Sequence, residues 1–118
     1  MCSSDLVRRI TVRLSVEGPD GFRLTGHSSM SEIARDPADL AAEMFGGTHQ
    51  YPDGAVLYLG TMFAPTEDRG AKGLGFTHKV GDIVTIAADE LGALTNRMAL
   101  ASTAPPWRYG VEIGRAHV

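Results

Sequence analysis

The fold is decided by residues 7–26, which read VRRITVRLSVEGPDGFRLTG. Apolar and polar residues alternate over most of residues 7–16, the period-two pattern of a strand with one buried face. The turn-forming residues 18–21, GPDG, interrupt the alternation, and it resumes over residues 22–26. Two alternating runs joined by a Pro-Asp-Gly turn predict an antiparallel β-hairpin.

A short helix is predicted next along the chain. Asp36 is a typical N-cap residue, Pro37 suits the first helical position, and the glycine pair at 46–47 terminates the pattern. The apolar side chains of this segment share one helical face: Leu40, Ala41, Met44 and Phe45. We interpret this stripe as part of the core rather than as a cofactor site.

Three more strands are predicted downstream. Residues 55–59, AVLYL, form a continuous apolar run bounded by turn residues, which is typical of a strand buried on both faces. Residues 82–87 and 91–98 give two further strands. Residues 61–81 are irregular and rich in glycine, which indicates a functional loop or lid. The sequence therefore predicts a mostly β (mixed β/α) fold with one short helix.

Composition narrows the class of protein. The 118 residues are 43% hydrophobic and 21% charged, and the formal net charge is -3, as in an ordinary globular domain. There is no block of Lys and Arg to follow a phosphate backbone, so we expect no nucleic-acid partner. No apolar run is long enough for a membrane span and the start lacks the features of a signal peptide, so we expect a cytoplasmic location and no membrane partner.

The two ends are predicted to be foreign to the protein. Residues 1–6, MCSSDL, and residues 113–118, IGRAHV, match codon by codon the translated adapters that are ligated to DNA for short-read sequencing. Such scars are excluded from reasoning about fold and function. Cys2, the single cysteine, and His117 therefore receive no functional role. The domain sequence to interpret is residues 7–112.

Thr61 is the strongest candidate for binding a ligand. It follows the predicted strand 55–59 and is preceded by Gly60, which lets the backbone approach a ligand closely. Its hydroxyl and the nearby amides could hold a carboxylate. The simpler interpretation is an ordinary turn at the end of a strand.

Other polar residues give weaker indications. The histidines are too far apart in sequence for a local metal-binding pair, and no metal ligand is assigned; they are His27, His49 and His78. Residues 67–69, EDR, could supply a general base or a substrate clamp, although a solvated loop tip is the simpler interpretation. Residues 70–75, GAKGLG, lack the strand-to-helix context of a phosphate-binding loop.

Several segments together resemble the C-terminal part of the fumarylacetoacetate hydrolase superfamily. The resemblance rests on residues 51–61 (YPDGAVLYLGT), 81–86 (GDIVTI) and 91–97 (LGALTNR), and it covers roughly residues 24–98. The family shows a Pro-x-Gly-x-x-Leu strand running into Thr-Gly-Thr, then Gly-Asp-x-Val and Gly-x-Leu-x-Asn. Here Leu59 replaces the first threonine of Thr-Gly-Thr. Residues 35–40, RDPADL, resemble the branch that dehydrates 2-keto-3-deoxy sugar acids.

The resemblance implies a truncated β-roll from a metal-dependent enzyme. Family members cleave carbon–carbon bonds of 1,3-dicarbonyls, decarboxylate, or dehydrate small 2-oxo acids, with Mg²⁺ or Mn²⁺ as a Lewis acid. In the family a Glu-x-Glu pair and a later Asp hold the ion, upstream of the motifs seen here, so this chain lacks those ligands. Only Thr61 and Gly60 map to a substrate-binding position, and no catalytic residue can be assigned. The resemblance also implies that the parent forms a homodimer, and the fragment itself is expected to be inactive.

Two alternatives remain open at this point. The chain could be a self-contained small β domain that binds a ligand or partner without chemistry, with Thr61 and residues 61–81 as its surface. The parent could also be a catalytically silent member of the same family.

Overall fold

The computed structural model describes residues 3–61 and 63–110, except the side chains of Ser3 and Ser4. Cys2, His117 and the end segment 113–118 lie outside the described residues. The elements in chain order are α1 (Ser3–Val7), β1 (Thr11–Glu17), β2 (Arg23–Ser29), α2 (Pro37–Met44), β3 (Ile83–Ala88) and β4 (Gly92–Arg97), with 3-10 turns at Met30–Glu32 and Ala101–Thr103.

The fold is mostly β, as predicted. The four strands form one antiparallel sheet in the order β2-β1-β3-β4. Val16 of β1 lies opposite Leu24 of β2 on one side and Val84 of β3 on the other. The sheet therefore joins the hairpin near the start of the chain to the hairpin near its end.

The first hairpin confirms the prediction, but β1 begins later than expected. The Gly18 amide donates to the Phe22 carbonyl at 2.8 Å, and Gly21 adopts a φ of 82°, which favours glycine. Val7 is the last residue of α1 and not a strand residue. The local helix is favoured because Arg8 pairs with Asp5 one turn earlier, at 2.9 Å.

Helix α2 also begins as predicted. The Asp36 carboxylate accepts from the Ala38 amide at 2.8 Å, and Pro37 occupies the first turn. The predicted apolar stripe is not core, however: no residue of α2 is buried, and Phe45, which follows it, is 56% exposed and meets the edge of the Tyr51 ring. No helix in the described ranges is long and apolar enough to cross a membrane.

The predicted buried strand at residues 55–59 is wrong. This segment has no regular secondary structure, and Val56 and Tyr58 are 77% and 88% exposed. The segment joins none of the four strands of the sheet, so its backbone gains no hydrogen bonds of a strand pair. Only Leu59 is partly buried, where it packs against the cluster of Ile10, Met30 and Ala88.

One side of the sheet is apolar. By strand alternation and register this apolar face contains Val12, Leu14, Val16, Leu24, Val84, Ile86 and Leu94. Val16 and Leu24 are buried, whereas Ile86 and Leu94 are 45% and 69% exposed. The part of the apolar face on β3 and β4 is thus only partly covered by the described residues.

Candidate functional site

Thr61 lies where the chain crosses the apolar face. Gly60 has a φ of 95°, in the left-handed region that residues with a Cβ rarely adopt. This backbone turn carries the chain from Leu59, at the buried cluster, to the exposed Thr61. Glycine is needed here for its φ and not for space, because an added Cβ would meet no atom within 4 Å.

An apolar groove lies on one side of Thr61. It has a volume of about 370 Å³ and is lined by Val12, Leu14, Ser28, Gly60, Thr61, Phe63 and Ile86. The Phe63 ring forms one wall and rests on Gly26 of β2, where an added Cβ would overlap the ring. Gly26 is therefore the position that allows the loop to lie close to the sheet.

A smaller, more polar groove lies on the other side. It has a volume of about 260 Å³ and is lined by Ser28, Ser29, Glu32, Ile33, Leu59 and Thr61. The Ser29 hydroxyl oxygen is 2.7 Å from that of Ser31, and it caps the 3-10 turn that presents Glu32. Thr61 and Ser28 line both grooves, so the two grooves share a border of hydroxyl groups.

The chemistry of the two grooves suits a small molecule with an apolar part and several oxygen atoms. Hydroxyl groups both donate and accept hydrogen bonds, and the apolar wall excludes water from part of the bound molecule. Glu32 is the one charged side chain among the described residues that line them. An anionic ligand would therefore need a positive charge from outside this lining.

A second polar centre is buried beneath the first hairpin. Arg69 and Asp82 form a two-pronged ion pair, with Nη1–Oδ2 and Nη2–Oδ1 distances of 2.5 and 2.8 Å. Their side chains are 1% and 0% exposed. Arg69 also donates to the Thr77 carbonyl at 3.3 Å and lies 4.2 Å from the centre of the Phe22 ring. Residues 67–69 are thus not simply a solvated loop tip.

The surroundings hold Asp82 in its charged form. The hydrogen bonds from Arg69 lower the pKa of Asp82 well below its usual range, and the Lys79 amide adds a further bond at 2.9 Å; burial acts in the opposite direction. His78 Nδ1 lies 3.7 Å from the carboxylate. The hairpin, the loop and β3 meet at this one carboxylate, which indicates a structural anchor.

Asp68 closes the glycine-rich segment that follows it. Its two carboxylate oxygens accept from the amides of Gly73 and Gly75, each at 2.8 Å, and these bonds lower the pKa of Asp68. The Arg69 amide donates to the Gly75 carbonyl at 3.0 Å. These bonds occupy the Gly73 and Gly75 amides, so the segment forms a closed turn around the Asp68 carboxylate. Glu67 is exposed beside this segment.

The histidines occupy separate parts of the structure. His27 lies on β2 opposite Arg13, His49 follows α2 and contacts Thr48, and His78 stacks edge-on against Phe76 at 4.9 Å. Among residues 3–61 and 63–110, no group of three His, Cys, Asp or Glu side chains is placed to hold a metal ion. The Mg²⁺ or Mn²⁺ ligands that the family resemblance implies come from an earlier part of the family's chain and are not expected among these residues.

Sequence reasoning missed Glu32 and the pairing of Arg69 with Asp82. Glu32 lies between the predicted hairpin and the predicted helix, and it belongs to no recognised motif. Arg69 and Asp82 are separated by 13 positions, across an irregular loop. A charge run in a glycine-rich loop gives no signal that one member turns inward.

Comparisons of the chain with protein-family models, with curated proteins and with solved structures gave no match.

Proposed function

We propose that this chain is the C-terminal part of a catalytic domain of the fumarylacetoacetate hydrolase superfamily, from a metal-dependent enzyme that acts on a small 2-oxo acid. The reaction is hydrolysis of a carbon–carbon bond in a 1,3-dicarbonyl or dehydration of a 2-keto-3-deoxy sugar acid. The residues that carry the proposal are Thr61 and Gly60, as substrate-binding residues. The sequence motifs at residues 51–61, 81–86 and 91–97 are its starting point.

The observation that supports it best is the position of Thr61. The left-handed turn at Gly60 presents the Thr61 hydroxyl at the border of an apolar and a polar groove. A small oxo acid has both an apolar carbon chain and a set of oxygen atoms to match these two linings. In the sequence resemblance, Gly60 and Thr61 occupy the position of the family's Gly-Thr pair.

The charge of the grooves is consistent with a metal supplied from elsewhere. A 2-oxo acid is an anion, and the described lining offers no cation to balance it. In this proposal the Mg²⁺ or Mn²⁺ ligands, a Glu-x-Glu pair and a later Asp, belong to polypeptide upstream of residue 7. A cytoplasmic location, a homodimeric parent and an inactive isolated chain are parts of the same proposal.

The test is to read the parent gene upstream of residue 7 and to assay its complete product. We expect an in-frame Glu-x-Glu pair, a later Asp, and Mg²⁺-dependent turnover of a 1,3-dicarbonyl or a 2-keto-3-deoxy sugar acid. A parent frame that starts near Val7, or one without these carboxylates, would overturn the proposal. In that case a non-catalytic small β domain becomes the better description.

The assignment of Thr61 is tested in the same parent enzyme. Loss of the hydrogen bond from this hydroxyl to the substrate costs about 1 kcal/mol or more, so Thr61→Val is expected to raise KM by about fivefold or more. Thr66→Val is the matched control, since Thr66 is exposed in the same loop and lines neither groove. Equal KM values for the two variants would remove Thr61 from the site.

A further inference from the structure

The chain contains the same turn sequence twice. Residues 18–21 read GPDG and residues 51–54 read YPDG. In both turns the glycine amide donates to the carbonyl three positions earlier at 3.1 Å, and the glycine φ is positive, 82° at Gly21 and 91° at Gly54. The two turns are thus alike in these local features, and they differ in what surrounds their aspartates.

An aspartate followed by glycine is chemically labile. The glycine nitrogen can attack the side-chain carboxyl carbon of the aspartate, because glycine has no Cβ to hinder the approach. A C–N bond forms, the carboxyl C–OH bond breaks, and the hydroxyl leaves with the amide proton as water. Water then opens the resulting imide ring. Opening at the side-chain carbonyl restores aspartate, whereas opening at the main-chain carbonyl gives isoaspartate, in which the main chain runs through the former side chain.

The fold restrains the carboxylate of Asp20. Its Oδ1 accepts from the Phe22 amide at 3.2 Å and lies 3.4 Å from Nη2 of Arg69, and its Oδ2 lies 3.7 Å from Lys79 Nζ. The Phe22 bond lowers the pKa of Asp20, the charges of Arg69 and Lys79 act in the same direction, and burial opposes them. The carboxyl therefore stays ionised, and an ionised carboxyl is the less reactive form because it has no hydroxyl to lose.

The sheet also restrains the backbone of this first turn. The turn joins β1 to β2, and the Gly18 amide closes it by donating to the Phe22 carbonyl at 2.8 Å. Ring closure would pull the Gly21 nitrogen towards the Asp20 side chain, and isoaspartate would add a methylene to the main chain. Both changes oppose the strand pairing that begins beside the turn.

Neither restraint acts on Asp53. In the part of the chain that the structure describes, no hydrogen bond or ion pair reaches its carboxylate, and residues 51–58 are all exposed. Residues 55–59, which follow this turn, belong to no strand of the sheet. A longer main chain at residue 53 therefore breaks no strand pairing.

We propose that the bond between Asp53 and Gly54 is a site of spontaneous covalent modification, at which the folded chain converts to isoaspartate. The same bond between Asp20 and Gly21 is protected for as long as the hairpin is folded. The carboxylate that the conversion leaves on the main-chain Cα of residue 53 is the group that isoaspartate methyltransferases methylate with S-adenosylmethionine. This site does not depend on the proposed enzymatic function.

The experiment incubates the whole chain near neutral pH, below its unfolding temperature, and follows isoaspartate at each site by peptide mapping with mass spectrometry. We expect residue 53 to convert several times faster than residue 20. A parallel sample in guanidinium chloride is the internal control, because both turns are then unfolded and the two sites should convert at similar rates. Equal rates in the folded chain, no conversion at residue 53, or the same preference for residue 53 in guanidinium chloride would each overturn the proposal.

Two matched variants identify the site by a second measurement. Asp53→Glu keeps the charge but would have to close a larger ring, and Asp20→Glu makes the same change in the protected turn. Methyl transfer from labelled S-adenosylmethionine by a purified isoaspartate methyltransferase counts the isoaspartate in each incubated protein. The label should fall close to background in Asp53→Glu and stay unchanged in Asp20→Glu, and equal losses or the reverse order would contradict the assignment. If circular dichroism shows that Asp20→Glu unfolds, Asp53→Glu against the unaltered chain still decides the question.

Discussion

Arg69 and Asp82 face each other in the interior with two parallel hydrogen bonds, although 13 positions separate them in the sequence. The pair fixes the middle of the loop at residues 61–81 to the start of β3. Asp20 of the first hairpin turn adds a longer contact to Arg69 at 3.4 Å. This pair therefore holds the two hairpins and the loop together.

Removal of the buried carboxylate should strongly destabilise the fold. Asp82→Ala leaves the guanidinium of its partner buried without a counter-charge, and such a change typically costs about 3 kcal/mol. Urea denaturation monitored by circular dichroism measures the loss. Asp89→Ala is the control, since Asp89 pairs with Arg13 on the surface and its removal should change the midpoint little. Similar losses for both variants would contradict the anchoring role.

Acid should weaken the fold as two carboxyl groups with lowered pKa values become protonated. The hydrogen bond from Arg8 lowers the pKa of Asp36 from 3.8 to about 2, and the pKa of Asp82 is lowered as well. A carboxyl with a lowered folded pKa stabilises the fold above its unfolded pKa, and this stabilisation is lost as the pH falls towards the folded value. We expect the urea midpoint to fall steadily below a pH of about 4.

The variant Asp36→Asn isolates the contribution of Asp36 to this loss of stability in acid. Asparagine keeps the N-cap hydrogen bond of α2 but loses the charge that pairs with Arg8. The midpoint of this variant should therefore be lower than that of the unaltered chain near neutral pH and should fall less between about pH 4 and pH 2. Asp53→Asn, at an exposed turn, should leave the acid profile unchanged. The same acid profile in all three proteins would exclude a role for the Arg8 pair.

Gly60→Ala should be unfavourable because of the backbone and not because of crowding. A left-handed φ at a residue with a Cβ costs about 1 kcal/mol or more. Gly47→Ala is the control, because Gly47 has no positive φ and also has open space around it. Hydrogen exchange of residues 59–61 should increase in the first variant only. No difference between the two would show that the turn at Gly60 adapts freely.

Gly26→Ala should displace the Phe63 ring from the sheet. The added methyl overlaps the ring, and an overpacked contact of this kind costs about 1–3 kcal/mol. The displaced ring uncovers the apolar groove, so binding of a hydrophobic dye such as anilinonaphthalene sulfonate should increase. Thr25→Ala, one position earlier and on the opposite face, should change neither stability nor dye binding much. Unchanged dye binding in Gly26→Ala would contradict the described position of Phe63.

Local signals in the sequence predicted the parts of the fold that depend on neighbouring residues. The alternation in β1 and β2 and the GPDG turn specified the first hairpin, and Asp36 with Pro37 specified the start of α2. The same rules failed for residues 55–59, because an apolar run forms a strand only where its backbone pairs with another strand, and this run pairs with none.

The candidate site was only partly predictable for the same reason. Thr61 was proposed from the glycine before it, and that glycine has a positive φ in the structure. The groove beside it depends on Phe63 lying against Gly26, a contact between segments far apart in the chain.

The sequence by itself determined the first β-hairpin, the two strands near the end of the chain and the capped start of α2, because each of these depends on local geometry. Only the tertiary structure decided which charged residue turns inward, which side chains line the Thr61 groove, and which strands lie at the edges of the sheet. These features depend on the free energy of contacts between distant residues. Arg69 is buried because the carboxylate of Asp82 balances its charge, and the sequence of neither segment indicates this pairing.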